Sequence, residues 1–547
     1  MLNQTHLIVH ISAISHIIKA VISKELQKAR EYENKAGALV TEAERPAFHL
    51  SPRIGWLNDP NGFSFYGSKY HLFYQYHPYN SFWGPMHWGH AESSDLVSWE
   101  YLPCALAPDE DYDVTGCFSG SAATLTDGRR LLMYTGVCDD GKDPLKLGRW
   151  RQSQCVAVSD GAEFIKYEGN PVIMESDLPE GGDPYEFRDP FIRKNSDSSF
   201  MAIVANGSDP EKGTRLLKYR SENGFDWSYD GELFEDEDKI GIMWECPNFF
   251  PLGEKWVLIA SPMDMEAEAE EAEGTVRFPK GNNVCYIVGD YDEASGEFIP
   301  DKDKSGKTIY HPVDLGLDFY APQVTETPDG RTVMIAWMQD PKPAMLHDEN
   351  LRIFGQMSIA RELSLVDGRL VQQPVRELNH YKDGCVLSKS FDLKDEKIEL
   401  DEACGRVLDL DIEIHPITGD GGGVSSYSDF SVCFAESEAT GIKISYDPHL
   451  SVITIDRSAA GYDSHAKDIR RIKTGMRGGH LSLRLLIDRW SAELFINGGE
   501  QTSSLTYYTP VDADGLSLSV KGRVLVDVTV SSISFDRTNG RYIVKSK

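Results

Sequence analysis

Basic residues are scarce. Lys and Arg number 55 against 86 Asp and Glu, a formal net charge of −31. Each phosphate contact needs a Lys or Arg, so this balance argues against a nucleic-acid binder. It also disfavours docking on an anionic membrane surface. Cysteine frameworks are missing too. The nine Cys, at 104, 117, 138, 155, 246, 285, 385, 404 and 433, are odd in number and include no C-x-x-C. That excludes a disulfide scaffold and a zinc ribbon, and it predicts reduced thiols in a cytoplasmic chain. Long apolar runs are absent as well. The best candidate, Leu7 to Ile22, has 16 residues with two His and a Lys among them, too short to span a bilayer comfortably. No basic residue precedes it and no A-x-A site follows, so it does not read as a signal peptide. Its apolar positions recur at helical spacing, and residues 1–45 are expected to form a helical extension packed on the body or on a partner.

What is present points to sheets. Tyr (24), Phe (23), Trp (10) and 47 Gly suit a β-rich chain with many turns. From about residue 50 to 375 short strand-like runs recur, such as HLFYQYHP, RLLMYTGV, FMAIVANG, KWVLIASP and TVMIAWMQ. SSDLVSW (93–99) and SENGFDW (221–227) share S-x-[DN]-x-x-x-W, and weaker echoes begin near 158, 288 and 359. Five units of about 65 residues, each with room for four strands, predict a five-bladed β-propeller over 46–378. A linker is expected at 379–389. Period-two alternation then predicts a β-sandwich over 390–547. The fold class is thus all-β.

Five polar clusters fall at nearly one phase of the repeat: WLNDPNG (56–62), FSGS (118–121), FRDP (187–190), WECP (244–247) and DFYAPQ (318–323). Taking Asp59, Ser119, Asp189, Glu245 and Tyr320 as markers, the steps are 60, 70, 56 and 75 residues. One cluster per blade at one phase lets all five face a central channel, where a propeller holds a small polar ligand. Three markers are carboxylates, the groups that glycosidic cleavage requires. One carboxylic acid protonates the leaving oxygen, and a second attacks the anomeric carbon or activates water. Asp59 sits in a rigid N-D-P-N-G turn beside Trp56. The apolar neighbours of Glu245 should raise its pKa, as a general acid needs, while Arg188 should keep Asp189 ionised.

Taken together, W-L-N-D-P-N-G, F-S-G-S, F-R-D-P, E-C-P and D-F-Y-A-P-Q resemble glycoside hydrolase family 32, the invertase, sucrose-6-phosphate hydrolase and exo-fructanase family. The resemblance runs from about residue 46 to 547. It includes DRWSAELFING (488–498), similar to a strand of that family's β-sandwich. It implies Asp59 as nucleophile, Glu245 as acid/base and Asp189 as the transition-state stabiliser, with Arg188 beside it. It implies Asn58, Gln75 and Ser119 as polar contacts to the fructosyl unit. Trp56, Trp83 and Phe118 would form its wall, and Tyr320 and Trp337 are expected at the rim or wall. Retention without metal or cofactor is implied, so His87 and His90 of HWGH read as strand residues.

The implied substrates are carbohydrates ending in fructose: sucrose, short fructo-oligosaccharides or sucrose 6-phosphate. A phosphate reader would need a cation near the funnel rim, for which Lys342 and Arg352 are candidates. The acidic stretch Asp264 to Glu273 would repel phosphate if it overhangs the funnel, which favours neutral sugars. A fructosyltransferase is the rival within the class, and a non-catalytic fructan-binding propeller is the rival outside it. No nucleic acid or membrane partner is expected. Sandwich edges and the N-terminal helix offer contacts for a homo-oligomer.

Overall fold

Each of the five polar motifs opens a sheet. In a computed structural model, which describes residues 22–159, 161, 163–207, 213–268, 272–339, 350–417, 427–460 and 468–535, five antiparallel blades are arranged as a propeller. Their inner strands are Gly55–Tyr66, Gly116–Thr124, Phe187–Lys194, Trp244–Leu252 and Tyr320–Glu326. Three further strands complete each blade in chain order, and a two-residue strand, His311–Pro312, adds to the fourth. A short strand from late in the chain, Ile353–Phe354, pairs in parallel with Gly55 and Trp56 of the first inner strand. It fastens the fifth unit to the first. The contacts between blades are largely apolar, for example at Leu131, Leu132, Met133 and Tyr134, all fully buried.

The S-x-[DN] repeat has a local cause. Ser93 Oγ accepts the Leu96 N–H at 2.8 Å, and Asp95 Oδ1 accepts Ser98 N–H at 2.8 Å. Ser221 and Asn223 do the same for Gly224 and Asp226, at 2.9 Å each. Both turns lead from the third strand of a blade to its outer strand, so side chains supply the acceptors that the ladder has left behind.

One α-helix lies among the described residues, Lys24–Gly37. Ser23 caps it by accepting Leu26 N–H at 3.1 Å. Leu26, Ala29 and Glu33 share its buried face, which docks on blade one. Arg30 Nε donates to the Cys104 carbonyl at 2.8 Å, and the Cys104 N–H donates to Glu33 at 3.0 Å. Residues 7–21 of the apolar run expected to be helical lie outside the described residues.

Beyond the propeller, two sheets share one long strand, Gly515–Ile533. Its first half pairs with Tyr427–Glu436, its second with Leu408–Pro416 and Lys382–Lys394. Val524, Val526, Val528 and Val530 are buried while Leu525 between them is 43% exposed. This is the two-residue period of a strand with one face on a core, where each buried aliphatic contributes about 1.5–3 kcal/mol. The stretch 379–389, expected as a linker, is largely part of the strand Lys382–Lys394. The run from Leu481 to Ile496 is two strands, Leu481–Ile487 and Ser491–Ile496, reversed at Asp488.

That reversal joins the two halves of the molecule. Asp488 accepts the N–H groups of Ala47, Phe48 and His49, and lies 2.8 Å from His49 Nδ1. Glu493 lies 2.8 Å from His49 Nε2 and accepts Arg361 Nε at 2.9 Å. All four side chains are buried.

Candidate active site

Proline placement explains how the site is built. Pro60, Pro190, Pro247 and Pro322 sit just after Asp59, Asp189, Cys246 and Ala321 in four of the inner strands. Proline has no N–H, so a regular ladder cannot pass through it. The register slips there in each case: between Leu57 and Pro60, between Arg188 and Phe191, between Glu245 and Asn248, and between Tyr320 and Gln323. Asp189, Cys246 and Ala321 take left-handed φ values of 62°, 49° and 50°. Blade two slips between Phe118 and Gly120 without a proline. Glycine is required there, because a Cβ at 120 would fall 2.0 Å from the Met133 carbonyl oxygen. Bulges re-aim side chains, and five at one phase bring the motif residues together.

One network links them. Asp59 Oδ2 accepts Ser119 Oγ at 2.7 Å, and Oδ1 accepts Asn58 Nδ2 at 3.1 Å. Trp56 Nε1 donates to Asn58 Oδ1 at 2.7 Å and so fixes the amide. Cys246 Sγ lies 3.6 Å from Asp59 Oδ2 and 3.7 Å from Asp189 Oδ2, bridging the two carboxylates. Burial, followed by the charges of Asp189, Asp59 and Glu245, pushes that thiol well up, so it remains a donor. The Cys246 N–H donates to Asp189 Oδ2 at 3.0 Å, and the Asp189 N–H donates to Thr135 Oγ1 at 2.9 Å.

Two electrostatic expectations are corrected. Arg188 does not pair with its chain neighbour Asp189. Its Nε and Nη2 lie 3.1 and 3.0 Å from Glu245 Oε1, and Nη1 bonds Glu186. The left-handed bulge at Asp189 sends the two side chains apart. Burial works against the guanidinium charge, but Glu186, Glu245 and Asp189 outweigh it and hold Arg188 cationic. Asp189 is instead pushed up to about 7, by burial first and then by the charge of Glu245, with Arg188 only partly opposing. Nor does Glu245 have the apolar jacket expected of it. Trp244 turns away to stack on Phe234, and the carboxyl of Glu245 meets Arg188 and, at 2.7 Å, the Tyr320 hydroxyl. Burial and Glu245 keep that phenol neutral, a fixed donor.

The remaining predicted residues divide. Gln75 is buried and donates to the Cys117 carbonyl at 3.1 Å, bracing the strand that carries Phe118 and Ser119. Trp83 and Phe118 are half-buried and meet edge to face at 5.9 Å. Trp56 and Trp337, expected in the wall or rim, are 1% and 2% exposed and pack on each other at 5.8 Å. Trp337 therefore backs the wall. His87 and His90 lie within the strand His87–Ser93, and burial pushes His87 down to about 3. Lys342 lies outside the described residues, and Arg352 is paired with Glu44 at 3.0 Å. Three acids of the stretch Asp264 to Glu273 carry ion pairs. Glu266, Glu268 and Glu273 pair with Lys280, Arg277 and Lys473.

Sequence reasoning missed Asn61, Thr135 and Trp150. Asn61 is fully buried; its Nδ2 donates to the Asp59 carbonyl at 2.9 Å and its Oδ1 accepts Gly120 N–H at 2.8 Å, which locks blade one to blade two. It lies within the N-D-P-N-G motif and was there to be found. Thr135 and Trp150 belong to no motif.

Chemically, the arrangement places a carboxylate held by three donors, Asp59, near a second carboxylate, Glu245, that solvent can reach. A third, Asp189, has its charge suppressed between them. That is the inventory for acid-assisted displacement at an acetal carbon. The family model "Glycosyl hydrolases family 32 N-terminal domain" matches residues 49–374, and "Glycosyl hydrolases family 32 C terminal" matches 384–536. A sucrose-6-phosphate hydrolase of Zymomonas mobilis is 35% identical over 513 residues, covering 88% of this chain and 90% of its own. The Bombyx mori GH32 β-fructofuranosidase is similar in structure, with a TM-score of 0.76 and 30% identity over 93% of this chain and 97% of its own. A variant of that enzyme, solved in complex with sucrose, matches equally well.

Proposed function

The chain belongs to glycoside hydrolase family 32, and we propose that it is a retaining β-fructofuranosidase acting on sucrose and short fructo-oligosaccharides. The observation that carries this reading is the convergence of Asp59, Asp189 and Glu245 from three blades onto Cys246 and Arg188. Asp59, oriented by Ser119 and Asn58, attacks the anomeric carbon and forms a fructosyl-enzyme. Glu245, aligned by Tyr320 and Arg188, protonates the departing oxygen and then deprotonates the incoming water. Asp189, whose carboxyl accepts the Cys246 N–H and whose own N–H donates to Thr135, binds fructose hydroxyls as charge develops on the ring. The nine free thiols suit a cytoplasmic protein, and no helix among the described residues is long and apolar enough to cross a membrane.

A second reading is sucrose-6-phosphate hydrolysis. It is supported by the name of the Zymomonas mobilis relative. The ion pairs of Glu266, Glu268 and Glu273 also weaken the electrostatic case against a phosphorylated sugar. Steady-state kinetics on sucrose, sucrose 6-phosphate, kestose and inulin decide between the two. A clear preference in kcat/KM for the phosphorylated disaccharide would overturn the first reading. Oligosaccharide build-up at high sucrose would point to fructosyl transfer. Asp59→Ala should abolish turnover in a folded protein, and substantial residual activity would refute the nucleophile.

A further inference from the structure

Trp150 is an indole that the fold does not use as core. It ends the segment 139–150 that joins the second and third strands of blade two. That segment is largely exposed, with Leu145 at 59% and Leu147 at 70%. The Trp150 ring stacks on Trp83 with centroids 5.9 Å apart and planes 11° apart. It meets Phe118 nearly edge-on, at 6.2 Å and 71°. Phe118 immediately precedes Ser119, whose hydroxyl is bonded to Asp59. Three half-buried rings therefore stand together one residue from the nucleophile's own hydrogen-bond donor.

The segment is anchored on the chain side of the ring. Arg149 lies 2.9 Å from Asp143 and 2.6 Å from Asp183, with its guanidinium over Tyr185. Asp183 and Tyr185 lie in the loop that leads to Arg188, which is paired with both Glu186 and Glu245. Arg151 begins the next strand and pairs with Glu175 at 2.9 Å. Trp150 is thus fixed between two charged anchors rather than hanging from a loose loop. A rigid indole with two torsions loses little entropy on contact, and its face suits the C–H face of a hexose ring.

If the fructosyl ring occupies the carboxylate ring, the leaving group extends outward past Phe118. We propose that Trp150, with Trp83, is the platform on which the leaving-group sugar rests, and that it holds a hexose ring by stacking. This rests on the fructosidase reading above. The surface reads shape and C–H faces, not charge, so it takes sucrose and fructo-oligosaccharides through the same contact.

The experiment compares the wild type, Trp150→Ala and Trp150→Phe on sucrose, kestose and methyl β-D-fructofuranoside, whose leaving group has no ring. Trp150→Ala should raise KM for sucrose and kestose about three- to tenfold, the size of one lost stacking contact. Its loss in kcat/KM on the methyl glycoside should be several-fold smaller. Trp150→Phe should recover most of the sucrose KM. Equal losses on all three substrates would overturn the proposal, as would no change on sucrose. A wild type inactive on every fructoside would instead refute the fructosidase reading, which separates the two failures.

Discussion

His49 Nδ1 lies 2.8 Å from Asp488 Oδ2, a buried ion pair between the chain that enters the propeller and the turn of a sandwich hairpin. Burial opposes charge on the ring, but the hydrogen bonds and charges of Asp488 and Glu493 push His49 up to about 9. On the other side, burial is outweighed by the His49 bond, its charge and backbone N–H donors, which bring Asp488 down to about 2. The stability that His49 contributes is complete below its ordinary value of 6.5 and is lost as pH climbs through about 9. The Asp488 contribution is complete above 3.8 and is lost as pH falls toward about 2. Thermal unfolding across pH should show Tm falling on both sides of that window. Breaking a buried pair costs about 3–5 kcal/mol, so Asp488→Asn should lower Tm by several degrees and flatten the alkaline limb. An unchanged alkaline limb would contradict the assignment.

Glu245→Gln removes the proposed proton donor and keeps an acceptor for the Tyr320 hydroxyl. General acid catalysis is worth on the order of 10²–10⁴-fold, so kcat on sucrose should fall by that much. A fructoside with a good leaving group needs little protonation and should lose far less in its first step. Parallel losses on both substrates would argue against the acid role.

Asp189→Asn should separate stability from activity. A carboxyl pushed up to about 7 retains a proton in the folded state that the unfolded chain releases above about 3.8, so it lowers stability as pH rises between those values. The amide removes that cost. Unfolding temperature should rise relative to wild type, with the gain growing from about pH 4 to pH 7 and constant above, while sucrose hydrolysis is lost. A Tm difference independent of pH would show that the buried charge is not the cause.

Gly355→Ala tests the closing strand. Gly355 follows Ile353–Phe354, has φ +93°, and a Cβ there would fall 2.0 Å from the Leu57 carbonyl oxygen. Strain of that kind costs more than about 1 kcal/mol. Both Tm and kcat should drop, because Phe354 stacks on Trp56, which orients Asn58 and through it Asp59. Wild-type values for both would show that the closing strand does not support Trp56 and Asp59.

Much of the blade architecture was legible because its signals are local. Prolines after the motif residues interrupt the ladder, and Ser-x-Asp or Ser-x-Asn turns end the third strands of blades one and three. The phase of Asp59, Ser119, Asp189, Glu245 and Tyr320 follows from counting alone. What was illegible depends on direction rather than order. Arg188 and Asp189 are adjacent in the chain, yet a left-handed φ at Asp189 delivers the cation to Glu245. Residues 382–389 read as a linker because none of their side chains is fully buried, so no two-residue period marks them. Trp150 gave no signal, since one aromatic in a polar loop has no spacing to read. Asp488 and Glu493 were visible as a motif, but their work on His49, more than 430 residues earlier, appears only in three dimensions.

The parallel pairing of Ile353–Phe354 with Gly55 and Trp56 also sets a schedule for synthesis. The first inner strand leaves the ribosome roughly 300 residues before its partner, and at about 5–20 residues per second that is about 15–60 s. Throughout that time the edge of Gly55 and Trp56 is an open template for other strands. Blade one can fold early, but the ring cannot close until the fifth unit arrives. N-terminal fragments that stop short of residue 353 are therefore translation products with a sticky end, and the nascent chain is exposed to misassembly for longest at the strand that carries Asp59.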